Sequence, residues 1–428
     1  MISALHLKQK DLPEKIIYFL IVLLPITLVT GPFLSDFSVS LIALLFLYTS
    51  FKKKIYFYYQ NIFSKIFGIF FLLLLTVSVL SIDPIISLKK TIVYFRFWIF
   101  VLAVWYIFDI KKNLIKYLIT SFTFIFIVLI VDGYIQFFFK ENILGWPLLE
   151  LRVSSLFKDE LILGSYLSRL LPIFFAILVY SNFENKTYQY LVFFIIFVGA
   201  ETLTFLSGER VAFFYINFSS LFLILAMKNY KLFRGLSIAI SIIIIFFLVN
   251  LYPKSTERII TKTMSQLEIS TGETATIKNI IPKKVFSIEY QNLYKSSLRM
   301  FYDYKITGVG PRMFRYLCVE KKYHIWEGCS AHPHNNYIQL LAETGLIGFI
   351  FVIGIFFTLI YSIVKHLLFK FIYKKVIFND FQLCLLSAIL ISMWPFIPTG
   401  DFFNNWLNII YFFPVGFFLS SINNIKQY

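Results

Sequence analysis

The sequence predicts an all-α polytopic membrane protein with about twelve transmembrane helices and one long external loop. Two observations predict this class: the composition of the chain and the spacing of its apolar runs. The 428 residues are 59% hydrophobic and only 15% charged, whereas soluble domains are about 45–50% apolar and about 25% charged. A soluble enzyme, a disordered tail and a disulfide-stapled secreted domain are therefore excluded.

The apolar runs give the number of spans. A transmembrane helix needs about 20 mostly apolar residues, and twelve runs of this kind follow one another along the chain. They cover residues 16–32, 34–51, 64–82, 91–108, 114–138, 161–181, 188–206, 211–228, 233–252, 336–364, 381–398 and 404–422. An even number of spans predicts that both termini lie on the same side of the membrane.

The loops between these runs differ in charge. Nineteen Lys and Arg residues, Arg234 among them, lie in the termini and loops of one side, whereas the short loops of the other side carry six. The positive-inside rule therefore places both termini in the cytoplasm. The net charge of +17 then indicates a contact with anionic lipid headgroups and no nucleic-acid partner.

The long polar interval 253–335 follows the ninth span, so it is predicted to lie outside as an external loop domain. The chain then divides into residues 1–252 with helices 1–9, residues 253–335, and residues 336–428 with helices 10–12. Cys318 and Cys329 share the external loop and are a candidate disulfide; the alternative is two free thiols. Cys384 lies in a span and is expected to be a buried apolar group.

Charged residues within spans are costly, so their positions are informative. They lie near the predicted outer ends of their helices, and the inner half of the bundle is predicted to be bare; the set is Arg96, Asp132, Arg169, Glu201 and Glu343. Arg169 and Glu201 each lie 16 residues from Asn185, at the centre of a cytoplasmic turn. This spacing brings them to the same height and predicts a structural ion pair.

Two arginines border the predicted outer chamber. Arg152 lies at the entry to span six, where a guanidinium can grip a phosphate through two parallel donors. Arg210 belongs to the short turn Ser207-Gly208-Glu209-Arg210 between spans seven and eight. The alternatives are an ordinary interfacial arginine for Arg152 and a contact with lipid headgroups for Arg210.

A third stretch combines Arg299 with the turn Gly308-Val309-Gly310-Pro311-Arg312 late in the external loop. Paired glycines occur in nucleotide-binding loops, but this turn has no third glycine and follows no evident strand, so a nucleotide site is rejected. Arg299, Arg312 and Arg315 instead add positive charge for a diphosphate.

The fourth stretch is His332-Pro333-His334-Asn335-Asn336-Tyr337, which runs into Glu343 at the start of span ten. Histidine takes and returns a proton near neutral pH, so His332 and His334 are candidate general bases. A zinc site needs more ligands than the two histidines supply. A structural alternative is that the histidines only begin the helix.

These four stretches resemble the O-antigen ligase/polymerase family. The resemblance rests on the Arg152 segment followed by Leu163-Gly164-Ser165-Tyr166-Leu167, the Ser207-Arg210 turn, Gly308-Val309-Gly310 with Phe314, and His334-Asn335 leading to Gln339, Glu343 and Gly345-Leu346-Ile347-Gly348. It covers most of the chain, and its specific motifs lie in roughly 150–350. Glu209 is a departure, since the family usually has a small residue before this arginine.

The resemblance implies a glycosyltransferase with GT-C-like architecture in the bacterial inner membrane. Its donor is a glycan on undecaprenyl diphosphate, and its acceptor is a sugar hydroxyl of lipid A-core or of a growing polysaccharide. Arg152 and Arg210, with Arg299 and Arg312, would bind the diphosphate. His334 would act as the base with His332 in reserve, and Glu343 or Asn335 would orient the His334 ring. No metal or other cofactor is expected, and direct displacement would invert the anomeric centre.

Several functions stay open at this point. A ligase joins finished polymer to lipid A-core, whereas a polymerase extends repeat units on the carrier; the single long loop favours the ligase. A lipid-linked glycan flippase or another transporter would need polar groups through both halves of the spans. A non-catalytic scaffold would leave the arginines and histidines without a role.

Overall fold

The computed structural model describes residues 12–111, 113–181, 186–266 and 286–425. It is 75% helical, and its described residues contain no strand. The helices in chain order are α1 (Leu12–Thr27), α2 (Pro32–Lys53), α3 (Ile62–Val79), α4 (Pro84–Ile110), α5 (Leu114–Phe139), α6 (Leu163–Tyr180), α7 (Lys186–Leu206), α8 (Arg210–Ala226), α9 (Lys231–Leu251), α10 (Pro253–Thr256), α11 (Thr261–Gln266), α12 (Ile288–Asp303), α13 (Phe314–Leu317), α14 (Asn336–Ile372), α15 (Asp380–Ser392) and α16 (Asn405–Ile425).

Nine helices among the described residues are long and apolar enough to cross a membrane. They are α2 to α7, α9, α14 and α16. The remaining apolar helices α1, α8 and α15 have 16, 17 and 13 described residues. The chain is therefore a polytopic helical membrane protein. Every apolar run of the sequence is helical over most of its length, and the count of twelve spans stays a prediction.

Polar caps and prolines set the helix ends. Asp83 begins α4 by accepting hydrogen bonds from the amides of Ile85 and Ile86, both at 3.0 Å, which satisfies donors that the first turn leaves free. Helix α15 ends at Ser392, so the prediction of a helix to residue 398 was too long. Pro395 and Pro398 follow directly and cannot supply the amides that a continuing helix needs.

Four helix ends lie together at one end of the bundle, called here the histidine end because His332 and His334 lie there. Helices α6, α8, α14 and α16 begin at this end. Helix α6 packs against α15 and α8, and α4 packs against α16. Almost every side chain of α6 from Leu163 to Leu178 is buried, so α6 is at the centre of the bundle.

Residues 253–266 and 286–335 form the described part of the loop domain. Helix α12 lies against α14, and a small apolar core joins the two; it consists of Leu293, Met300, Val309, Met313, Phe314, Leu317, Cys318, Tyr323 and Ala342. Cys318 and Cys329 form a disulfide with their Cα atoms 5.1 Å apart. The loop domain is thereby held on the start of α14.

The predicted ion pair between Arg169 and Glu201 is not formed. Glu201 instead pairs with Arg234 at 2.5 Å and accepts a hydrogen bond from Ser241 at 2.6 Å. The Arg169 guanidinium lies over the Tyr215 ring, 4.9 Å from its centroid. The two residues were expected at equal height on neighbouring helices, but the spacing along the chain does not fix the direction in which each side chain points.

The position of Arg234 also differs from the prediction. It was counted among the cytoplasmic loop charges, but it lies in the first turn of α9 and is only 2% exposed. His366 of α14 is also fully buried and contacts the carbonyl oxygen of Ala226 at 3.2 Å, at the end opposite the histidine end. The half of the bundle expected to be bare therefore contains buried polar groups as well.

Candidate functional site

His332 and His334 lie side by side in the segment just before α14. Their ring centroids are 4.1 Å apart. His334 has a positive φ of 57°, and its Nε2 lies 3.5 Å from the Ser330 hydroxyl oxygen. Pro333 between them restricts the backbone, so the two imidazoles face the same part of the histidine end.

Burial keeps both imidazoles neutral. Burial and the neighbouring His334 lower the pKa of His332 to about 4, and burial also lowers the pKa of His334. A neutral imidazole has one nitrogen that accepts a proton and one that donates. At neutral pH each ring can therefore act as a base, which is the state that general base catalysis requires.

The segment 393–404, between α15 and α16, holds the histidine segment in place. The Thr399 amide donates to the His334 carbonyl oxygen at 2.8 Å, and the Thr399 hydroxyl oxygen accepts from the Asn336 amide at 3.0 Å. Asp401 accepts a hydrogen bond from Gln339 at 2.7 Å and pairs with Arg315 at 3.4 Å. Sequence reasoning missed this segment because it treated residues up to 398 as membrane helix.

Asn335 and Glu343 do not orient the His334 ring. The Asn335 side chain caps α14 by accepting from the amides of Tyr337 and Ile338 at 3.0 and 3.1 Å. The Glu343 carboxylate is 1% exposed and accepts from the Phe314 amide at 3.1 Å and the Gln339 amide group at 3.0 Å. The hydrogen bonds of these two side chains thus hold the first turn of α14 and join α14 to the loop domain.

The turn around Gly308 and Gly310 packs closely against α14. Helix α14 is broken at Gly345, where φ is 62°, and a Cβ on Gly308 would lie 2.5 Å from the Glu343 carbonyl carbon and 2.6 Å from the Gly345 amide nitrogen. The Val309 amide donates to the Ala342 carbonyl oxygen at 2.9 Å. The glycines therefore let two backbones touch.

Arg152 is fixed at the other side of the histidine end. It is 8% exposed, and its Nε donates to the Ser207 carbonyl oxygen at 2.8 Å while its Nη2 donates to the Leu161 carbonyl oxygen at 3.3 Å. Burial and the charge of Arg258 lower the pKa of Arg152. With two of its nitrogens bound to the protein, Arg152 offers a ligand mainly its remaining nitrogen.

Arg210 and Arg258 adjoin Arg152. The Arg210 Nε donates to the Arg258 carbonyl oxygen at 3.2 Å. A Cβ on Gly208 would lie 3.2 Å from both the Arg152 Nε and the Arg258 Cδ, so both side chains cross this turn. The three residues, Arg152, Arg210 and Arg258, are called here the arginine cluster. Sequence reasoning missed Arg258 because the segment around it matches no motif.

Three acidic residues, Glu150, Glu209 and Glu289, lie near the arginine cluster. Glu150 lies 3.7 Å from Arg258, and its side chain is 68% exposed, so this pair is weak. The Glu209 carboxylate accepts from the Gly164 and Ser165 amides at 2.6 and 3.0 Å and thus caps α6. Burial raises the pKa of Glu209, and these hydrogen bonds oppose the rise. What suits an anion is therefore the group of three adjoining guanidiniums, whose N–H donors match the oxygens of a phosphate.

Arg299 and Arg312 are not brought into the arginine cluster. Arg299 lies on the exposed face of α12 and donates to the His324 carbonyl oxygen at 2.9 Å. Arg312 is exposed, and the adjacent Pro311 carbonyl oxygen accepts from the Ser87 hydroxyl at 3.0 Å, which places this turn beside α4. Neither residue contacts the cluster in the part of the chain that is described.

Tyr290 lies beside His334, and the charges of Arg210 and Arg258 also act on it. Its ring centroid is 5.8 Å from that of His334. Burial and Glu289 raise the pKa of Tyr290, while the charges of Arg210 and Arg258 oppose the rise. The sequence contains 27 Tyr residues, and nothing in the pattern singled this one out.

The fold and the site together define a polytopic helical membrane protein with a cationic and histidine-bearing site at one end of its bundle. Within its described residues, no three His, Cys, Asp or Glu side chains lie close enough together to hold a metal ion.

Residues 191–353 match the family model described as O-antigen ligase, and this match confirms the resemblance to the O-antigen ligase/polymerase family. It includes Arg210, Arg258, Tyr290, His332 and His334, whereas Arg152 and the segment 393–404 lie outside it. No curated protein matches the chain.

Proposed function

We propose that the chain is a glycosyltransferase that moves a glycan from undecaprenyl diphosphate to a sugar hydroxyl, acting as an O-antigen ligase on lipid A-core. The observation that carries the proposal is the arrangement at the histidine end. Tyr290 packs beside His334 and is also acted on by the charges of Arg210 and Arg258, so the arginine cluster and the two neutral imidazoles share one neighbour. A diphosphate leaving group needs the cations, and an acceptor hydroxyl needs the base.

Each of these groups has a role in the transfer reaction. His334 accepts the proton of the acceptor hydroxyl through a ring nitrogen as the acceptor oxygen bonds to the anomeric carbon. The bond between that carbon and the diphosphate oxygen breaks, and its electron pair stays on the diphosphate. The arginine cluster stabilises the negative charge that develops there. One displacement of this kind inverts the anomeric centre and requires no metal.

The roles within the proposed site change with the structure. His334 remains the base and His332 the second candidate, although the low pKa of His332 makes it a weaker base. Arg258 replaces Arg299 and Arg312, which the sequence had suggested as further diphosphate-binding residues. Asn335 and Glu343 are assigned structural roles.

The proposed orientation follows from the loop charges. The chain lies in the bacterial inner membrane with both termini in the cytoplasm, and residues 253–335 form a periplasmic domain between residues 1–252 and 336–428. The histidine end then faces the periplasm, where carrier-linked glycan and lipid A-core are both present.

A strain in which the gene is deleted tests the proposal. We expect undecaprenyl-linked long chains without attachment to lipid A-core, and restoration of the attached polymer by the unsubstituted chain. His334→Ala should not restore it, whereas His324→Ala, an exposed histidine of the same domain, should. Single repeat units on the core would instead identify a polymerase. Absence of any periplasmic lipid-linked glycan would identify a flippase.

A further inference from the structure

The Tyr290 ring packs beside the His334 ring. Tyr290 belongs to the first turn of α12, and its ring meets the His334 ring at an interplanar angle of 65° with 5.8 Å between centroids. It also packs against the small core of the loop domain. The position of the Tyr290 ring is therefore fixed relative to the proposed base.

The phenol of Tyr290 is within electrostatic reach of two members of the arginine cluster. Arg210 and Arg258 both act electrostatically on it, yet the net effect of its surroundings raises the pKa of Tyr290 above its ordinary value of 10.0. The hydroxyl therefore stays protonated at neutral pH and can donate a hydrogen bond. A neutral donor beside two cations suits an anionic ligand held between them.

The Tyr290 hydroxyl is free to bind such a ligand. Within the described residues no protein group forms a hydrogen bond with it, and it is not sealed from solvent. Tyr294, one turn further along α12, stacks on Tyr290 with 6.5 Å between centroids, but its hydroxyl is buried without a partner. Tyr294 therefore offers a matched control on the same helix face.

We propose that Tyr290 is a donor-binding residue. Its hydroxyl donates a hydrogen bond to a diphosphate oxygen held by the arginine cluster, and its ring sets the distance between that oxygen and His334. The inference rests on the proposed function, because it assumes that the arginine cluster binds a diphosphate. The leaving group is then held by cations on one side and by a neutral hydroxyl on the side that faces the base.

Binding of undecaprenyl diphosphate to the purified full-length chain in detergent tests this assignment, with inorganic pyrophosphate as a second probe. Tyr290→Phe should weaken binding of the lipid and lower kcat/KM about tenfold or more, as expected when a hydrogen bond to a charged group is lost. Tyr294→Phe should bind and react like the unsubstituted chain. Competition by pyrophosphate alone would show that the headgroup supplies the contact, and its failure would show that the lipid tail is also required.

The pH dependence of the transfer rate distinguishes the role of the Tyr290 hydroxyl from that of its ring. Tyr290→Phe keeps the ring beside His334, so the pH at which the rate falls on acidification should not move. Tyr290→Ala exposes His334 to water, so the acid limb should shift upward toward about pH 6.5, the ordinary pKa of histidine. A tyrosine whose ring only packs over His334 would give the shift in Tyr290→Ala but no loss of lipid binding in Tyr290→Phe.

One result would overturn the role of Tyr290, and another would overturn the proposed function. Unchanged lipid affinity and rate in Tyr290→Phe would overturn the role of Tyr290 alone, provided that His334→Ala still binds the lipid and transfers nothing. Failure of the unsubstituted chain to bind undecaprenyl diphosphate would overturn the proposed function. Thermal unfolding of each variant, measured beside Tyr294→Phe, identifies any loss of activity that comes from misfolding.

Discussion

The backbone amide of Thr399 donates a hydrogen bond to the carbonyl oxygen of His334 at 2.8 Å. The Thr399 hydroxyl oxygen also accepts from the Asn336 amide at 3.0 Å and donates to the Asn336 side-chain oxygen at 2.9 Å. The segment before α16 thus fixes the backbone on both sides of the α14 cap. The position of the proposed base depends on a contact between residues 65 positions apart (399 minus 334).

Thr399→Val tests the part of this arrangement made by the Thr399 hydroxyl, its two hydrogen bonds with Asn336, and keeps the backbone hydrogen bond to His334. The substitution keeps the shape of the side chain and leaves the buried Asn336 amide without its acceptor, which costs about 1–3 kcal/mol. We expect a lower midpoint of thermal unfolding in detergent and a reduced rate of glycan transfer. Thr358→Val is the control, because Thr358 is exposed and its hydroxyl only donates to the Gly354 carbonyl oxygen within α14. Equal effects of the two substitutions would contradict the assigned role.

The pKa values of the histidines predict the acid response. Burial holds the pKa of His334 below 6.5, so the neutral base persists below that pH, and the rate should fall only as the pH passes through the lowered pKa. The pKa of His332 is about 4 in the fold and about 6.5 in the unfolded chain. The unfolded chain therefore binds more protons between these values, so stability should decrease as the pH falls from about 6.5 to about 4.

Rates and unfolding midpoints measured from pH 8 to pH 4 check both statements. His332→Asn should reduce the loss of stability over this range, because the asparagine does not titrate. A rate that already halves at pH 7 would contradict a lowered pKa for the base.

Lysine substitutions distinguish the arginine cluster from the outlying arginines. Arg258→Lys and Arg210→Lys should each lower kcat/KM about tenfold or more, because one ammonium does not reproduce the planar, forked donors of a guanidinium. Arg299→Lys should leave the rate within about twofold, since its guanidinium is exposed and donates to the His324 carbonyl oxygen. A larger loss in Arg299→Lys than in Arg258→Lys would restore the arrangement that the sequence suggested.

The buried pair of Glu201 and Arg234 predicts a large effect on stability. Glu201→Gln leaves the Arg234 charge buried without its counter-ion, and breaking such a pair costs about 3–5 kcal/mol. We expect a strong decrease of the unfolding midpoint in detergent. The double variant Glu201→Gln, Arg234→Met should recover part of the loss. Arg169→Met is the comparison. We expect its effect on the unfolding midpoint to add to that of Glu201→Gln. A non-additive effect of the two substitutions would show that Arg169 and Glu201 interact.

The bundle could be read from the sequence because long apolar runs fold as helices with few alternatives. Each of the twelve runs is helical, and errors at their ends arise where proline overrides hydropathy, as at Pro395. Candidate residues within motifs, such as Arg210 and His334, were found because their residue type and context are specific. The match over residues 191–353 supports the family that these motifs indicated.

The partners of those residues could not be read from the sequence. Glu201 binds Arg234 because helix rotation, which hydropathy does not encode, turns its carboxylate toward α9. Arg258, Tyr290 and Thr399 reach the site only through tertiary packing of segments with no motif of their own. By residue type, Arg299 could bind a diphosphate as well as Arg258 could. Only the structure shows that Arg258 lies beside Arg210 and that Arg299 does not.

The interlock of Gly308 with Gly345 limits how the histidine end can open. Backbone atoms of the two segments approach too closely for any side chain, so the turn at Gly308 cannot separate from the start of α14 without losing this packing. Arg210, in contrast, is held by hydrogen bonds of its side chain, to the Gln266 side chain of α11 and to the Arg258 carbonyl oxygen just before α11. An anionic ligand can replace such hydrogen bonds. Under the proposed function, the arginine side is therefore the side that adjusts to the donor, while the histidine side keeps its shape.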